Sequence, residues 1–540
     1  MKKSILRKDI ALMILLLFII TSFLPSINGF RLQHNDEFSL GDKNSSDLSV
    51  AEWRQLIGGD NAGFGKNSNI GLRGIEEFNN ELYVGTQSFN KSKILEISNV
   101  QNGILKRFFF NFDSFHGLPF LKLKENPLYV HLSKNLIDRN LLFVSWLSNS
   151  LKLAMHMRSK MSEGCEVWKY NHSTDAWNQV VGGKNEALLP VGFGDHKNLA
   201  ASVFKEFKGD LYVGTWSSPI NGCEIWRFNG NSCEQVVGKN AKVKGGFNDP
   251  NNIAAWCMEE FNGYLYVGTM NWDYTPTGSC QVYRSQDGTN WTKVVDRGFR
   301  DFLSESEQNV HNTYAWSIKS YQNHLYVGTF NTNSVFNLEN SGCQLWRTSD
   351  GLDWEKIDCP GGNGFGEPEN YGIRSMIEYY DELYIATATD AYQPNGMNVQ
   401  GCEIWKFNGE IWTEIIGDGK IGENEQDGFG NTWNKYIWSI DVSSDNKLWV
   451  GTLNMQIRAI GENTKGCEVW CYNGNNWKPI VKNVEGEIDN GFGYIYNEGA
   501  RVIKEYPEGS GNIVVGTFKV VKPPKLSEGC EVWIRYNSTE

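Results

Sequence analysis

The residues best suited to chemistry in this chain recur at one spacing. Four positions beyond a repeated asparagine (Asn69, Asn198, Asn252, Asn312, Asn370, Asn434 and Asn497) stand Arg73, Ser202, Trp256, Trp316, Arg374, Trp438 and Arg501. A guanidinium matches a carboxylate through two parallel hydrogen bonds, and an indole offers a face on which a sugar ring or a cation stacks. Gathered at one centre, Arg73, Trp256, Trp316, Arg374, Trp438 and Arg501 would bind an acidic or ring-shaped ligand. The same positions have a second use, filling the contacts between repeats, because the residue two further along is apolar in every copy, from Ile75 to Ile503. The asparagine, present in every copy, is expected to bond loop backbone through its amide.

Other polar positions carry less. Glu166, Glu224, Glu403, Glu468 and Glu531 invite a reading as catalytic acids, but Gln281 and Gln344 replace them in sister repeats. The position therefore needs hydrogen-bonding capacity rather than a titrating proton. The eight histidines show no metal-ligand spacing. Asp195, Asp249 and Asp273 are the carboxylates calcium would use, but no calcium motif gathers them. No metal and no cofactor is expected, and no catalytic residue declares itself.

These positions are set by a repeat. Leu265-Tyr266-Val267-Gly268-Thr269 recurs at Leu82, Leu211, Leu325, Leu383, Leu448 and Ile513, and Ser279-Cys280-Gln281-Val282-Tyr283 recurs around Cys165, Cys223, Cys343, Cys402, Cys467 and Cys530, normally as Gly-Cys-Glu/Gln-aliphatic-Trp. Self-similarity at a fixed period outranks length as a guide to architecture. In the copy from Asn252 to Val295, Ala254 to Phe261 alternates and turns at Asn262-Gly263 into Leu265 to Thr269. A loop leads to a third strand from Cys280 to Tyr283, and Ser285 to Gly288 turns it into a fourth from Trp291 to Val295. Four short antiparallel strands make a propeller blade, which buries its faces only against neighbours round an axis.

The expected fold is therefore all-β, a seven-bladed β-propeller of four-stranded antiparallel blades over residues 51–540. The fourth-strand tryptophans are Trp177, Trp291, Trp354, Trp412 and Trp477, with Cys233 in their place once. The remaining copy is Trp53, at the other end of the chain, while the C-terminus stops after a third strand at Cys530 to Tyr536. The N-terminal strand is thus expected to complete the last blade and close the ring. Consecutive copies lie 54 to 65 residues apart, but Leu82 and Leu211 are separated by 129. An insertion over 88–163 in blade 1 accounts for the excess, and helical spacing from Leu136 to Met155 predicts an amphipathic helix inside it. Loops between strands two and three, and between blades, are long and varied, and both emerge on one face. That face is where binding is expected.

The ends and composition set the compartment. Lys2, Lys3, Arg7 and Lys8 precede an apolar run from Ile10 that Pro25 ends, which is a secretory leader over residues 1–29, with an uncleaved anchor as the alternative. Residues 30–50 read as a flexible lead-in. The formal charge is −12, and removing a leader that carries four basic residues against Asp9 leaves −15. An acidic body of this kind excludes a nucleic-acid groove. A secreted or cell-surface monomer is expected, with the membrane reached only through an uncleaved N-terminal segment. Seven of the eleven cysteines occupy one repeat position and so read as small buried apolar residues; Cys223 with Cys233 is the one pair worth checking for a disulfide.

Ser285-Gln286-Asp287-Gly288-Thr289-Asn290-Trp291 and Thr348-Ser349-Asp350-Gly351-Leu352-Asp353-Trp354 resemble the Asp-box of sialidase-like and sortilin-like propellers, in two of the seven blades. The repeat as a whole is similar to that of uncharacterised exported propeller proteins. In the Asp-box families the motif is structural, so the resemblance implies a fold and no catalytic residue. The functional expectation is a non-catalytic module binding an extracellular glycan, peptide or protein ligand through the long-loop face. The alternative is a sialidase-like or other glycan-cleaving enzyme, for which Arg73, Arg374 and Arg501 would clamp a carboxylate. The sialidase-like pattern also needs a Tyr/Glu nucleophile pair and an Asp acid placed around the clamp, which no stretch of the sequence announces.

Overall fold

Residues 53–89, 162–218, 220–273, 278–336, 340–389, 400–417, 425–456, 465–519 and 528–537 are described by a computed structural model. The leader expected at 1–29, the lead-in expected at 30–50 and the helix expected within 136–155 lie outside them, as does all but the ends of the expected 88–163 insertion.

Each repeat opens with a long antiparallel pair. In the third repeat these strands are Asn252–Phe261 and Tyr264–Asn271, joined at Asn262-Gly263, whose positive φ values suit the tight hairpin. The second strand of each repeat also bridges the first strand of the next: Gln87 to Ala200, Trp216 to Ala254, Met270 to Tyr314, Phe330 to Gly372, Ala388 to Tyr436 and Leu453 to Gly499. Gly71 and Phe518 join the seventh repeat to the first. Fourteen strands thereby close a hydrogen-bonded ring. Outside it lie seven shorter antiparallel pairs, such as Val282–Ser285 with Thr292–Val295. This is the arrangement of a seven-bladed propeller, and the repeats are called blades 1 to 7 from here on.

The outermost strand of blade 7 is Trp53–Ile57, which pairs antiparallel with Val532–Arg535 from the far end of the chain. The third strands begin about two residues later than the cysteines suggested, because each cysteine backbone is already engaged elsewhere. Cys280 N donates to Asn312 O and Cys280 O accepts from Gly298 N. The seven repeat cysteines are fully buried, and all eleven cysteines are free thiols. Cys233 lies opposite Phe228 in its hairpin, not opposite Cys223, so the pair singled out from sequence is not one.

Candidate functional site

The loop entering each blade is fixed by a residue in an uncommon conformation. Phe64, Phe193, Phe247, Phe299, Phe365, Phe429 and Phe492 all have φ between 58° and 71°, each directly after a left-handed glycine. Bulky side chains avoid that region at a cost of roughly 1–2 kcal/mol. The compensation is aromatic: Phe365 stacks on Trp405 at 5.1 Å between centroids and meets Trp412 edge-on at 5.5 Å. Five of these loops show the Gly-Phe-Gly pattern in sequence; Gly246-Phe247-Asn248 and Gly298-Phe299-Arg300 make the same turn without the last glycine.

The repeated asparagine then ties loop to blade. Asn69 Nδ2 donates to Gly63 O at 3.0 Å and to Glu166 Oε2 at 2.9 Å, while Glu166 also accepts from Trp168 Nε1. In blade 4 Asn312 donates to Gly298 O and to Gln344 Oε1, which accepts from Trp346 Nε1. Glutamate and glutamine thus do one structural job, as the substitution pattern implied. Burial pushes the Glu224 carboxyl up, against the hydrogen bonds from Trp226 and Asn198.

With its entry anchored, each first strand carries a β-bulge. The register shifts across Leu72/Gly74, Ala201/Val203, Ala255/Cys257, Ala315/Ser317, Ile373/Ser375, Ile437/Ser439 and Ala500/Val502. The extra residue at each is Arg73, Ser202, Trp256, Trp316, Arg374, Trp438 or Arg501. A bulge re-aims a side chain, and here it separates the candidate residue from the apolar residue two along. Leu72 and Ile75 pack in one core cluster, as do Ala255 with Met258 and Ile373 with Met376. Arg73 and Ile75, two residues apart, therefore lie on different faces of the strand.

The bulge residues meet an aromatic cluster drawn from all seven blades, including Trp216, Tyr314, Phe330, Tyr371, Tyr436 and Phe518. Arg73 lies over Trp216 at 4.4 Å and Trp256 at 4.7 Å, reaching past blade 2, where the bulge residue is the small Ser202, and its Nε donates to Gln87 Oε1. Arg501 lies over Trp438 at 4.1 Å and Phe518 at 5.1 Å. Arg374 lies over Trp316 at 5.5 Å. The indoles of Trp316 and Trp438 lie against Gly372 and Gly499 of the following blades, where any Cβ would collide with them. The hydroxyls of Tyr371 and Tyr436 bond one another.

The six candidates divide. Trp316, Trp438 and Arg501 are 2%, 8% and 5% exposed and serve packing, whereas Arg73, Trp256 and Arg374 are half-buried. The three arginines do not converge on one point; each is held by its own rings. Among the described residues Arg374 has neither hydrogen bond nor ion pair, and its Nε, like that of Arg501, is buried without an acceptor. Burial lowers its guanidinium to about 10, with Tyr436 and Cys257 opposing. Among the described residues no group of three His, Cys, Asp or Glu could hold a metal.

The Asp-box turns lie at the other end of the blades. Asp287 Oδ1 accepts from Thr289 N and Asn290 N, and Asp350 Oδ1 from Leu352 N and Asp353 N. Sequence reading stopped at these two. Asn229, Asn408 and Asn473 accept the same pair of amides, two and three residues on, so an Asn-Gly four residues before the fourth-strand position was the missed signal.

Fold and site together define a β-propeller with a cation and aromatic cluster on its axis. No family model matches the chain, and no curated protein matches it. Among solved structures it is similar to an α-L-arabinofuranosidase from Fusarium graminearum, at 10% identity and a TM-score of 0.34 over 62% of this chain and 91% of that one. An ancestral GH74 enzyme matches at 16% identity and 0.35 over 68% of this chain and 43% of its own. A Trypanosoma rangeli sialidase matches at 7% and 0.33 over 62% and 54%. At such scores these likenesses say nothing of what this chain does.

Proposed function

We propose that this chain is a non-catalytic binding propeller acting outside the cell, taking an anionic, ring-bearing ligand such as an acidic sugar at the loop-side end of its axis. Arg374 carries the reading. A half-buried guanidinium with no carboxylate, no hydrogen bond and a buried Nε lacking an acceptor is costly to hold, and a ligand's oxyanion would supply what the chain does not. Arg73 and Trp256, also half-buried, would add a second cation and a stacking face. The pairing of Trp53–Ile57 with Val532–Arg535 supports closure of the ring by the N-terminal strand.

The test titrates glucuronate-terminated and neutral oligosaccharides into the protein and into Arg374→Ala, beside a panel of chromogenic glycosides. Preferential uronate binding is expected, with R374A losing about 1.5–3 kcal/mol of affinity and little melting temperature. If R374A instead melts early and what stays folded binds unchanged, Arg374 belongs to packing. Turnover of any glycoside would replace this reading with the enzymatic one.

A further inference from the structure

Seven positions beyond the repeated asparagine, toward the short-turn end of the inner strands, stand Glu76, Lys205, Glu259, Lys319, Ile377, Asp441 and Lys504. Round the ring their charges alternate, with Ile377 the one uncharged member. Neighbours touch. Lys205 Nζ is 2.8 Å from one oxygen of Glu259, and Lys319 Nζ is 3.6 Å from the other. Lys504 Nζ is 3.3 Å from Glu76 Oε1, across the junction of the last blade with the first. Seven is odd, so strict alternation cannot close on itself. Either two like charges must meet or one member must be neutral, and Ile377 is that member.

The break makes the acids unequal. Glu259 is buried, which alone would raise its carboxyl, but Lys319 and Lys205 on either side outweigh burial and hold it below the usual range. Asp441 has Ile377 on one side and Lys504 on the other, and Lys504 is bonded to Glu76. Asp441 accepts a hydrogen bond from Glu505 N at 2.7 Å and makes no ion pair among the described residues. The charged groups acting on it are Lys504, which opposes burial, and Glu76, which adds to it; blade 5 presents only Ile377. Burial accordingly pushes its carboxyl up to about 6.

We propose that this belt is a charge code that holds the ring closed, with Ile377 as its obligate break and Asp441 as the acid the break leaves under-compensated, so that the junctions of blades 5, 6 and 7 tighten when Asp441 takes up a proton. The sign follows from linkage. A carboxyl raised in the folded state penalises folding when ionised, so stability is gained as pH falls through about 6 and the gain is complete below the ordinary value of about 4.

Thermal unfolding of the full chain tests both halves. D441N should melt a few degrees above the wild type near pH 7.5, and that gap should close by about pH 4.5. A gap that does not change with pH overturns the role given to Asp441. The charge swap E76K/K504E tests the belt. An isolated pair would recover the wild-type melting temperature when swapped. Within a belt, the swapped base faces Lys205 and the swapped acid faces Asp441, so the double variant should melt below the neutral E76Q/K504Q, and the deficit should shrink in high salt. Full recovery by the swap overturns the code, and the D441N comparison stands whether or not the swap folds.

Discussion

Trp53 meets Phe492 edge-on, with ring centroids 5.1 Å apart and planes at 86°, while Phe492 stacks on Trp533 at 5.1 Å. Phe365 stands in the same relation to Trp412 and Trp405, all from the body of the chain. Trp53 thus fills in blade 7 the place that each blade's own fourth strand fills elsewhere, across most of the length of the sequence. Trp53→Ala should cost about 2–4 kcal/mol by equilibrium unfolding, as a large aromatic lost from a core contact does. A loss under about 0.5 kcal/mol, the size of an ordinary surface change, would mean the strand is dispensable.

Glu224 and its counterparts should tolerate loss of charge but not loss of the acceptor. Glu224→Gln keeps an oxygen for Asn198 and Trp226 and should leave stability within about 0.5 kcal/mol at pH 7, or raise it. Glu224→Ala strands two buried donors and should cost about 2–3 kcal/mol. Because burial raises this carboxyl in the folded state, the wild type should gain stability relative to E224Q as pH is lowered toward the ordinary glutamate range. Chemical denaturation at two pH values decides it.

The Asp287 turn has the opposite sign. Amides of Asn290 and Thr289 hold its carboxyl well below the usual range. Its contribution is present above the ordinary aspartate value of about 4 and is lost as pH falls through the depressed one. Asp287→Asn should be nearly neutral at pH 7, since Asn229, Asn408 and Asn473 make the same two bonds, and should gain stability relative to the wild type as pH falls below about 4. Asp287→Ala should lose about 1 kcal/mol.

Gly372 and Trp316 should behave as one unit. Gly372→Ala sets a methyl against the indole and should cost about 1–3 kcal/mol, in the range of overpacked cores. In a Trp316→Ala background the same change should cost almost nothing, so a double-mutant cycle should show coupling of at least about 1 kcal/mol. Additive losses would show that the two residues do not press on one another.

Most of the architecture was legible because repetition is visible without contacts. The seven Leu-Tyr-Val-Gly-Thr copies mark the second strands, and the misplaced Trp53 shows how the last blade is completed. The bulge was hidden, since an alternating template absorbs one extra residue without protest. Its trace was present in pairs three apart, such as Ala255 with Met258 and Ile373 with Met376, which cannot share a face on a regular strand. That single residue decides where Arg73, Trp256 and Arg374 point. The division of the six candidates into buried and half-buried was not legible either, because it depends on which blade lies next to which: Arg73 reaches Trp256 only where Ser202 leaves room. The charge alternation from Glu76 to Lys504 was in plain sight at a fixed offset, but it gains meaning only once the first and last copies are neighbours.

The bridges that join each second strand to the next blade make the inner wall a hoop. No blade can lean outward at that end without breaking a bridge on each side of it. The spacing of the inner strands is consequently fixed by backbone, and what fills the space they enclose is set by the bulge residues and the aromatic cluster they meet. Exchange at the half-buried positions Arg73, Trp256 and Arg374 would change that filling one residue at a time while the inner strands keep their spacing.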